Sequence, residues 1–155
     1  RKSVMEAAQK TFISSTFWTE RIGPTAALAT LKVMEETKSW EVITNIGNKM
    51  RQGWQKLVDN HNLDIEISGI PSLSTYAFKS KKSSEYKTLV TQEMLKKGYL
   101  ASTNFYASTA HNKDNLNFEA LNDVYTLVAD CEKGDMKIEN LLKGPICHSG
   151  FKRLN

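Results

Sequence analysis

The chain has 155 residues, enough for one domain, and folding at this size buries about 70% of the surface that the unfolded chain exposes. It is 40% hydrophobic and 25% charged, a composition that excludes the disordered and fibrous classes. The 21 Lys and Arg against 17 Asp and Glu give a net charge of +4. Apart from the cluster at 79–82 the cations are scattered, so we expect no nucleic-acid partner.

Signals for a membrane, a disulfide or a metal are weak. No apolar run approaches the ~20 residues of a membrane span, which predicts no membrane partner and a cytoplasmic location. Cys131 and Cys147 are expected to be free thiols in a reducing compartment. His148 adjoins Cys147, but two adjacent residues do not make a tetrahedral site, so we assign no metal.

The first ten residues predict a short helix, with Val4, Met5, Ala7 and Ala8 on its apolar side. The helix opens on two cations, without an initiator Met or a capping residue. We therefore expect the natural chain to continue upstream of Arg1.

The stretch 12–31 combines a hydroxyl-rich loop with an apolar helix. Ser14, Ser15, Thr16 and Thr19 supply short donors suited to a phosphate or a carboxylate. Gly23 and Pro24 are typical of a helix start. The helix that follows, 24–36, is apolar on nearly every side, which predicts burial inside a larger body or against a second subunit.

The next helix is predicted from Ser39, a plausible N-cap, to about Asn60. Its apolar residues recur at steps of three and four, and they are Ile43, Ile46, Met50, Trp54 and Leu57. Gly47 and Gly53 lower its intrinsic helix propensity. They therefore indicate a close helix or strand neighbour.

The rest of the chain alternates strand and helix patterns. Strands are predicted at 63–67, 73–78 and within 99–107, the last bringing Asn104, Phe105 and Tyr106 to a sheet edge, with a turn at 69–71 between the first two. Helices are predicted from Ser83 or Ser84 to Gly98, from Asp114 or Asn115 to about Gly134, and over 136–143. This order predicts an α+β fold, a small antiparallel sheet covered by helices and preceded by a long interdomain helix.

Three segments carry a resemblance to a known family. Residues 15–18, Ser-Thr-Phe-Trp, match the Gly-Thr-aromatic/Leu-Ser phosphate loop of class III aminotransferases and glutamate-1-semialdehyde aminomutases, enzymes of fold type I that use pyridoxal 5'-phosphate (PLP). Residues 98–100 and 109–114 resemble connectors of the same family's small domain. The resemblance implies that 1–36 is the end of the large cofactor domain, with phosphate loop and linking helix, and 37–155 the C-terminal small domain.

The resemblance assigns cofactor binding to Thr16 and Ser15. In the family, the matching Thr reaches the coenzyme phosphate held by the other subunit of a homodimer, so the N-terminal loop and helix are expected to form a dimer interface. The alternative is a Thr16 that only satisfies backbone groups of a tight loop. The sequence departs from the family pattern, because Ser15 replaces a Gly and Glu20-Arg21 replaces Asn-Pro.

Further residues are candidates for the substrate pocket. Phe17 and Trp18 line the substrate entrance, seal the interface or belong to the core. Arg21 is a candidate to hold a substrate carboxylate, although a structural pair or interface contact is favoured for Glu20 and Arg21. His111 lies just ahead of a helix, which favours capping and packing over acid–base chemistry.

No catalytic residue is assigned within the chain. A PLP enzyme needs a desolvated lysine at the end of a strand to form the internal Schiff base, and no lysine of this sequence has that setting. The resemblance implies that this lysine lies upstream of Arg1, so the segment alone should be inactive.

These observations predict the C-terminal part of a PLP-dependent aminotransferase, with a small-molecule amino donor and a carbonyl acceptor as partners. The aminomutase remains an alternative, although residues 102–106, Ser-Thr-Asn-Phe-Tyr, lack the carboxylate found there in the mutase. The alternative of another class is a non-catalytic interaction domain whose apolar helix 24–36 binds a partner.

Overall fold

The computed structural model of the chain describes residues 1–11, 20–111 and 116–148. The chain forms two compact units, Arg1–Lys38 and Ser39–Asn155. The helices are α1 Lys2–Gln9, α2 Ile22–Thr37, α3 Ser39–His61, α4 Ser83–Lys96, α5 Phe118–Lys133 and α6 Ile138–Leu141, and the strands are β1 Ile65–Ile70, β2 Leu73–Phe78 and β3 Asn104–Tyr106.

The N-terminal unit contains α1 and α2, and no residue of either helix is buried. Helix α2 begins at Ile22, two residues before its predicted start, because the Glu20 carboxylate accepts hydrogen bonds from the N–H groups of Ile22 and Gly23. It ends at Lys38, whose φ of 48° is left-handed. The sequence predicts that this helix is buried inside a larger body or against a second subunit. Within the chain itself the helix is exposed.

The C-terminal unit is built on an antiparallel sheet in the order β1-β2-β3. Strands β1 and β2 pair from Ile65↔Phe78 to Ile70↔Leu73, which leaves a two-residue turn at 71–72. The turn predicted at 69–71 is therefore wrong. Gly69 pairs within the hairpin at a φ of +82°, a conformation that glycine adopts without steric cost.

One face of the sheet carries the core. Helices α3 and α4 pack against the sheet, and α5 packs against both of them. Tyr76 lies at the centre, with ring centroids 4.8 Å from Trp54, 5.7 Å from Phe78 and 6.0 Å from Tyr125, all edge-to-face. This geometry suits the quadrupoles of aromatic rings. The α+β fold with helices covering a small sheet is confirmed.

Glycine permits two close approaches to helix α3. A Cβ on Gly47 would lie 1.7 Å from the backbone oxygen of Pro71, and one on Gly53 would lie 2.1 Å from the Phe118 ring. The prediction that these glycines have close neighbours is confirmed. Tertiary packing compensates for the lower helix propensity of the two glycines, because the hairpin turn and α5 lie directly against α3.

Several predicted helix caps differ in the structure. Helix α3 begins at Ser39 itself, which is buried, and Lys82 rather than Ser83 or Ser84 precedes α4 without a side-chain cap. Helix α5 begins later than predicted, with Asn117 as its N-cap. Asp114 and Asn115 lie outside the described residues.

Gly98 ends α4 as predicted, with a φ of +85°. Its N–H bonds to the Leu95 carbonyl at 3.0 Å, and the Tyr99 N–H bonds to the Met94 carbonyl at 2.9 Å. These two bonds are a Schellman motif, which satisfies carbonyls at the end of a helix. The motif fixes the backbone direction at Tyr99.

Candidate functional site

Most of the sequence-predicted site residues cannot be placed. Ser15, Thr16, Phe17 and Trp18 lie outside the described residues. Arg21 is described, and it is exposed directly before α2. The assignments to cofactor and substrate therefore stay predictions.

Glu20 has a structural role at the start of α2. Its two carboxylate oxygens accept from the N–H groups of Ile22 at 3.0 Å and Gly23 at 2.8 Å. The expected Glu20–Arg21 ion pair is not formed. Because the N-terminal N–H groups of a helix are its anion-binding groups, the carboxylate of Glu20 occupies the position that a phosphate would take at this helix end.

The lysines of the described ranges are all at least partly exposed. Lys82 and Lys87 are half-buried, and the others are exposed. A lysine acts as a Schiff-base nucleophile when desolvation or a nearby cation favours its neutral form. None of the described lysines lies in a buried setting of this kind.

Three further features of the described ranges concern metal ligands, membrane spans and thiols. They contain no group of three or more His, Cys, Asp or Glu able to hold a metal, and none of their helices is long and apolar enough to cross a bilayer. Both cysteines are free, as predicted. Burial raises the pKa of the Cys131 thiol, which keeps it protonated and poorly nucleophilic.

Lysines lower the pKa of two carboxylates of the C-terminal unit, Glu66 and Glu93. The hydrogen bond and charge of Lys79 lower the pKa of Glu66. Burial alone raises the pKa of Glu93, but hydrogen bonds from Lys96 and Gln92 outweigh it and lower the pKa. Both pairs are ordinary surface ion pairs, whose energetic contribution is small.

A cavity of about 190 Å³ lies in the C-terminal unit, between α3, the end of α4, the segment 99–105 and the start of α5. Its apolar wall is formed by Met50, Trp54, Met94, Phe105, Phe118 and Leu121. No Asp, Glu, Lys or Arg of the described ranges lines it.

The polar side of the cavity is organised by Asn117. Its Oδ1 accepts from the Ala120 N–H at 2.9 Å and caps α5. Its Nδ2 donates to the Tyr99 hydroxyl oxygen at 2.6 Å. Both ends of one amide are thus engaged, which fixes its orientation and makes the Tyr99 oxygen an acceptor in this bond.

His111 also lines the cavity. Its Nδ1 accepts from the Ser108 N–H at 3.0 Å, and its ring lies 4.8 Å from the Phe105 ring. In a neutral imidazole, an acceptor Nδ1 requires the hydrogen on Nε2. This environment agrees with the packing role expected for His111.

A shallower groove adjoins the cavity and shares Tyr99, Ala101, Ser102 and Asn104 with it. Leu100 lies at both sites and is 97% exposed. The cavity therefore opens to solvent beside an apolar side chain.

The sequence analysis missed this cavity. The available signal was Asn117 directly before the apolar run that begins at Phe118, since Asn is a preferred N-cap. That signal identifies the cap, but not the Tyr99 hydroxyl that Asn117 also holds.

Comparisons with known proteins bear on the family resemblance. No protein-family model matches the sequence. Over 85 residues, 55% of this chain and 20% of the relative, the sequence is 29% identical to the 3-aminobutyryl-CoA aminotransferase of Cloacimonas acidaminovorans (strain Evry). The fold matches the PLP internal aldimine form of the FumI protein of Sphingopyxis sp. MTA144 with a TM-score of 0.70 and 22% identity, over 89% of this chain and 34% of that chain.

The chain spans about a third of the solved chain, and its matched segment a fifth of the curated relative. The sequence match shows partial homology to an aminotransferase, and the structural match shows the fold of one part of a PLP enzyme. The resemblance noted in the sequence is thereby confirmed at this level: partial homology to an aminotransferase and the fold of part of a PLP protein are consistent with the C-terminal domain of a class III aminotransferase.

Proposed function

We propose that this chain is the C-terminal part of a PLP-dependent enzyme that transfers an amino group between an amine or amino acid and a carbonyl acceptor. The observation that carries the proposal is the 85-residue homology to an aminotransferase. The fold shared over 89% of the chain supports the same architecture. The relative's aminotransferase activity also favours group transfer over the aminomutase alternative.

Within the enzyme, this chain would contact the coenzyme phosphate. The donor set of the loop fits a phosphate, because the hydroxyls of Ser15 and Thr16 donate hydrogen bonds without burying another cation. The loop hydroxyls rather than the start of α2 would bind the phosphate, because the Glu20 carboxylate already accepts hydrogen bonds from the first N–H groups of α2. PLP, when bound, supplies an electron sink for the amino donor.

The lysine that anchors the coenzyme would belong to the parent protein outside this chain. No lysine in the described ranges is buried, which supports that placement. Phe17, Trp18 and Arg21 would complete the wall of the substrate pocket. The chain alone is then expected to be inactive.

The test uses the full-length parent protein and its visible coenzyme absorbance. Thr16→Ala should weaken coenzyme retention by about tenfold, the loss expected for a hydrogen bond to a charged group. Thr30→Ala is the matched control, because the Thr30 hydroxyl donates to the Ala26 carbonyl of its own helix. Equal coenzyme retention by the two variants would show that Thr16 does not bind the phosphate. Covalent coenzyme binding by the 155-residue chain would show that the Schiff-base lysine lies within this chain.

Homodimer formation through the N-terminal loop and α2 is part of the proposal. The exposed apolar side chains of α2 support it, among them Ile22, Leu28 and Leu31 at 81%, 69% and 61% exposure. Large exposed apolar surfaces usually mark contact sites.

The same helix also favours the rival function, a non-catalytic domain whose α2 binds another protein. The two functions differ in the upstream sequence. An upstream reading frame with a lysine at the end of a strand, before a Gly-rich turn, supports the enzyme. A start codon at Arg1 supports the rival.

A further inference from the structure

We propose that the cavity between α3, the end of α4, the segment 99–105 and the start of α5 binds a small, neutral, largely apolar molecule that carries a carbonyl oxygen. The inference goes beyond the proposed aminotransferase function and requires neither coenzyme nor dimer. It rests on the size and wall of the cavity, the hydrogen-bond donors on its lining and the absence of ionised side chains from the part of the lining that the structure describes.

The size and wall of the cavity suit a small apolar body. Its volume is about 190 Å³, and a cavity of ~150 Å³ lined by apolar side chains already holds benzene. Trp54, Phe105 and Phe118 supply aromatic surface, while Met50 and Met94 supply adaptable thioether side chains. A wall that is mostly apolar with a few placed polar groups is typical of ligand pockets.

The Tyr99 hydroxyl is prepared to donate to a ligand. Its oxygen accepts from Asn117 Nδ2 at 2.6 Å, and no acceptor in the described ranges is bonded to its hydrogen. A hydroxyl has a single donor hydrogen, so within the described ranges this hydrogen remains for a ligand. The ligand group that it fits is an acceptor oxygen.

His111 supplies a second donor. Because its Nδ1 accepts from the Ser108 N–H, the neutral ring carries its hydrogen on Nε2. The contact with Phe105 at 4.8 Å restricts the ring further. Two donors on the lining of one cavity match the two lone pairs of a carbonyl oxygen better than they match an amine or an ammonium.

The described lining residues favour a neutral ligand. No Asp, Glu, Lys or Arg of the described ranges lines the cavity, and an unpaired charge is costly to desolvate. A ketone, ester or amide carbonyl therefore fits better than a carboxylate. The Tyr99 hydroxyl also has rigid supports, because the Schellman motif fixes the backbone before Tyr99 and Asn117 at the capped start of α5 holds its oxygen.

Methionine-methyl NMR tests the proposal on the 155-residue chain. The sequence has five methionines, of which Met50 and Met94 line the cavity while Met5, Met34 and Met136 do not. With ¹³C-methyl methionine and cyclohexanone as the probe, the first two signals should shift and saturate. The other three should stay unchanged, and cyclohexanecarboxylate should give no saturable shift.

Two variants test separately the Tyr99 hydrogen bond and the free volume of the cavity. Tyr99→Phe should weaken cyclohexanone binding about fivefold, the loss of one neutral hydrogen bond. Ala101→Leu should fill the cavity and abolish binding. Tyr106→Phe is the matched control, since Tyr106 is exposed on the sheet and does not line the cavity.

Three results would overturn the proposal. They are equal shifts at all five methionines, equal affinity of the wild type and Tyr99→Phe, and saturable binding of the carboxylate probe at the affinity of the ketone. A native-like methyl spectrum for Tyr99→Phe establishes that a loss of affinity does not come from unfolding.

Discussion

Asn117 shows how one side chain connects a structural role to a surface with binding chemistry. Its Oδ1 caps α5 through the Ala120 N–H, and its Nδ2 orients the Tyr99 hydroxyl. A capping Asp would satisfy the helix equally well, but its ionised carboxylate has no hydrogen to donate to the Tyr99 oxygen. The amide is therefore the residue type that serves both partners.

Gly47 is the residue at which added volume should cost most. We expect Gly47→Ala to lower the free energy of unfolding by about 2 kcal/mol, because the new Cβ would lie 1.7 Å from the Pro71 backbone oxygen and overpacking outweighs the ~1 kcal/mol gained in helix propensity. Urea denaturation measures the change. Gly144→Ala is the control, since nothing lies within 4 Å of a Cβ there, and equal stability of the two variants would contradict the close approach.

The Glu66–Lys79 pair should make a pH-dependent contribution. Lys79 lowers the pKa of Glu66 below its ordinary 4.5, so the pair stabilises the fold above that pH and loses its contribution as pH falls through the lowered pKa. We expect Lys79→Met to return the Glu66 pKa to its ordinary range, measured by carboxyl ¹³C NMR. Lys81→Met, a neighbouring cation outside the pair, should leave it lowered. A Glu66 pKa unchanged by Lys79→Met would show that another group causes the shift.

At the scale of elements, the strands and helices with strong periodicity follow from the sequence. Strand β2 has its predicted limits, 73–78, because alternating residues place Tyr76 and Phe78 in the core. Strand β1 lies two to three residues later than predicted, since Gly69 was interpreted as a turn. A glycine in the left-handed region fits both a turn and a strand, and only the pairing with Ser74 distinguishes them.

The start of a helix was harder to predict than its end. Gly98 and Gly134 end α4 and α5 as expected, both with positive φ. Ser39, Ser83 and Ser84 suit a cap chemically but do not serve as one, and Asn117 does. Several Ser, Asn and Asp residues near a helix start satisfy the same rule, and tertiary contacts decide between them.

Helix α2 carries the prediction that tests self-association. Leu28 and Leu31 lie three residues apart and therefore on one side of the helix, and both are exposed in the chain. Replacing both with Glu should weaken dimerisation by at least about tenfold, measured by sedimentation equilibrium. Thr30→Glu, on another side of the helix, is the control for the effect of an added negative charge. A monomeric wild type, or equal self-association of the Leu28→Glu/Leu31→Glu and Thr30→Glu proteins, would contradict an interface on this helix.

At the scale of the whole molecule, the two candidate sites differ in how much of each can be predicted from the sequence. The loop residues Ser15 and Thr16 were identified by local order, and their placement remains a prediction. The cavity depends on four segments that are far apart in the sequence, from Met50 to Leu121. No local pattern encodes that convergence, so the fold had to be seen before the cavity could be found.

The distribution of burial predicts which part of the chain determines its stability. No residue of α1 or α2 is buried, whereas the core cluster begins at Trp54 and continues to Ile138. A 16-residue helix without buried contacts is marginal in water. We therefore expect removal of residues 1–38 to change the unfolding free energy by no more than ~0.5 kcal/mol.

Urea denaturation of both proteins at low protein concentration measures this change, since a dimer formed through α2 would add a concentration-dependent term. Hydrogen exchange provides an independent readout. The amides of α2 should exchange rapidly, while those of α5 around Val124 and Val128, which are fully buried, should be protected up to the global unfolding free energy. A loss of several kcal/mol on truncation, or equal protection of the two helices in the monomer, would show that the N-terminal unit contributes to the core stability after all.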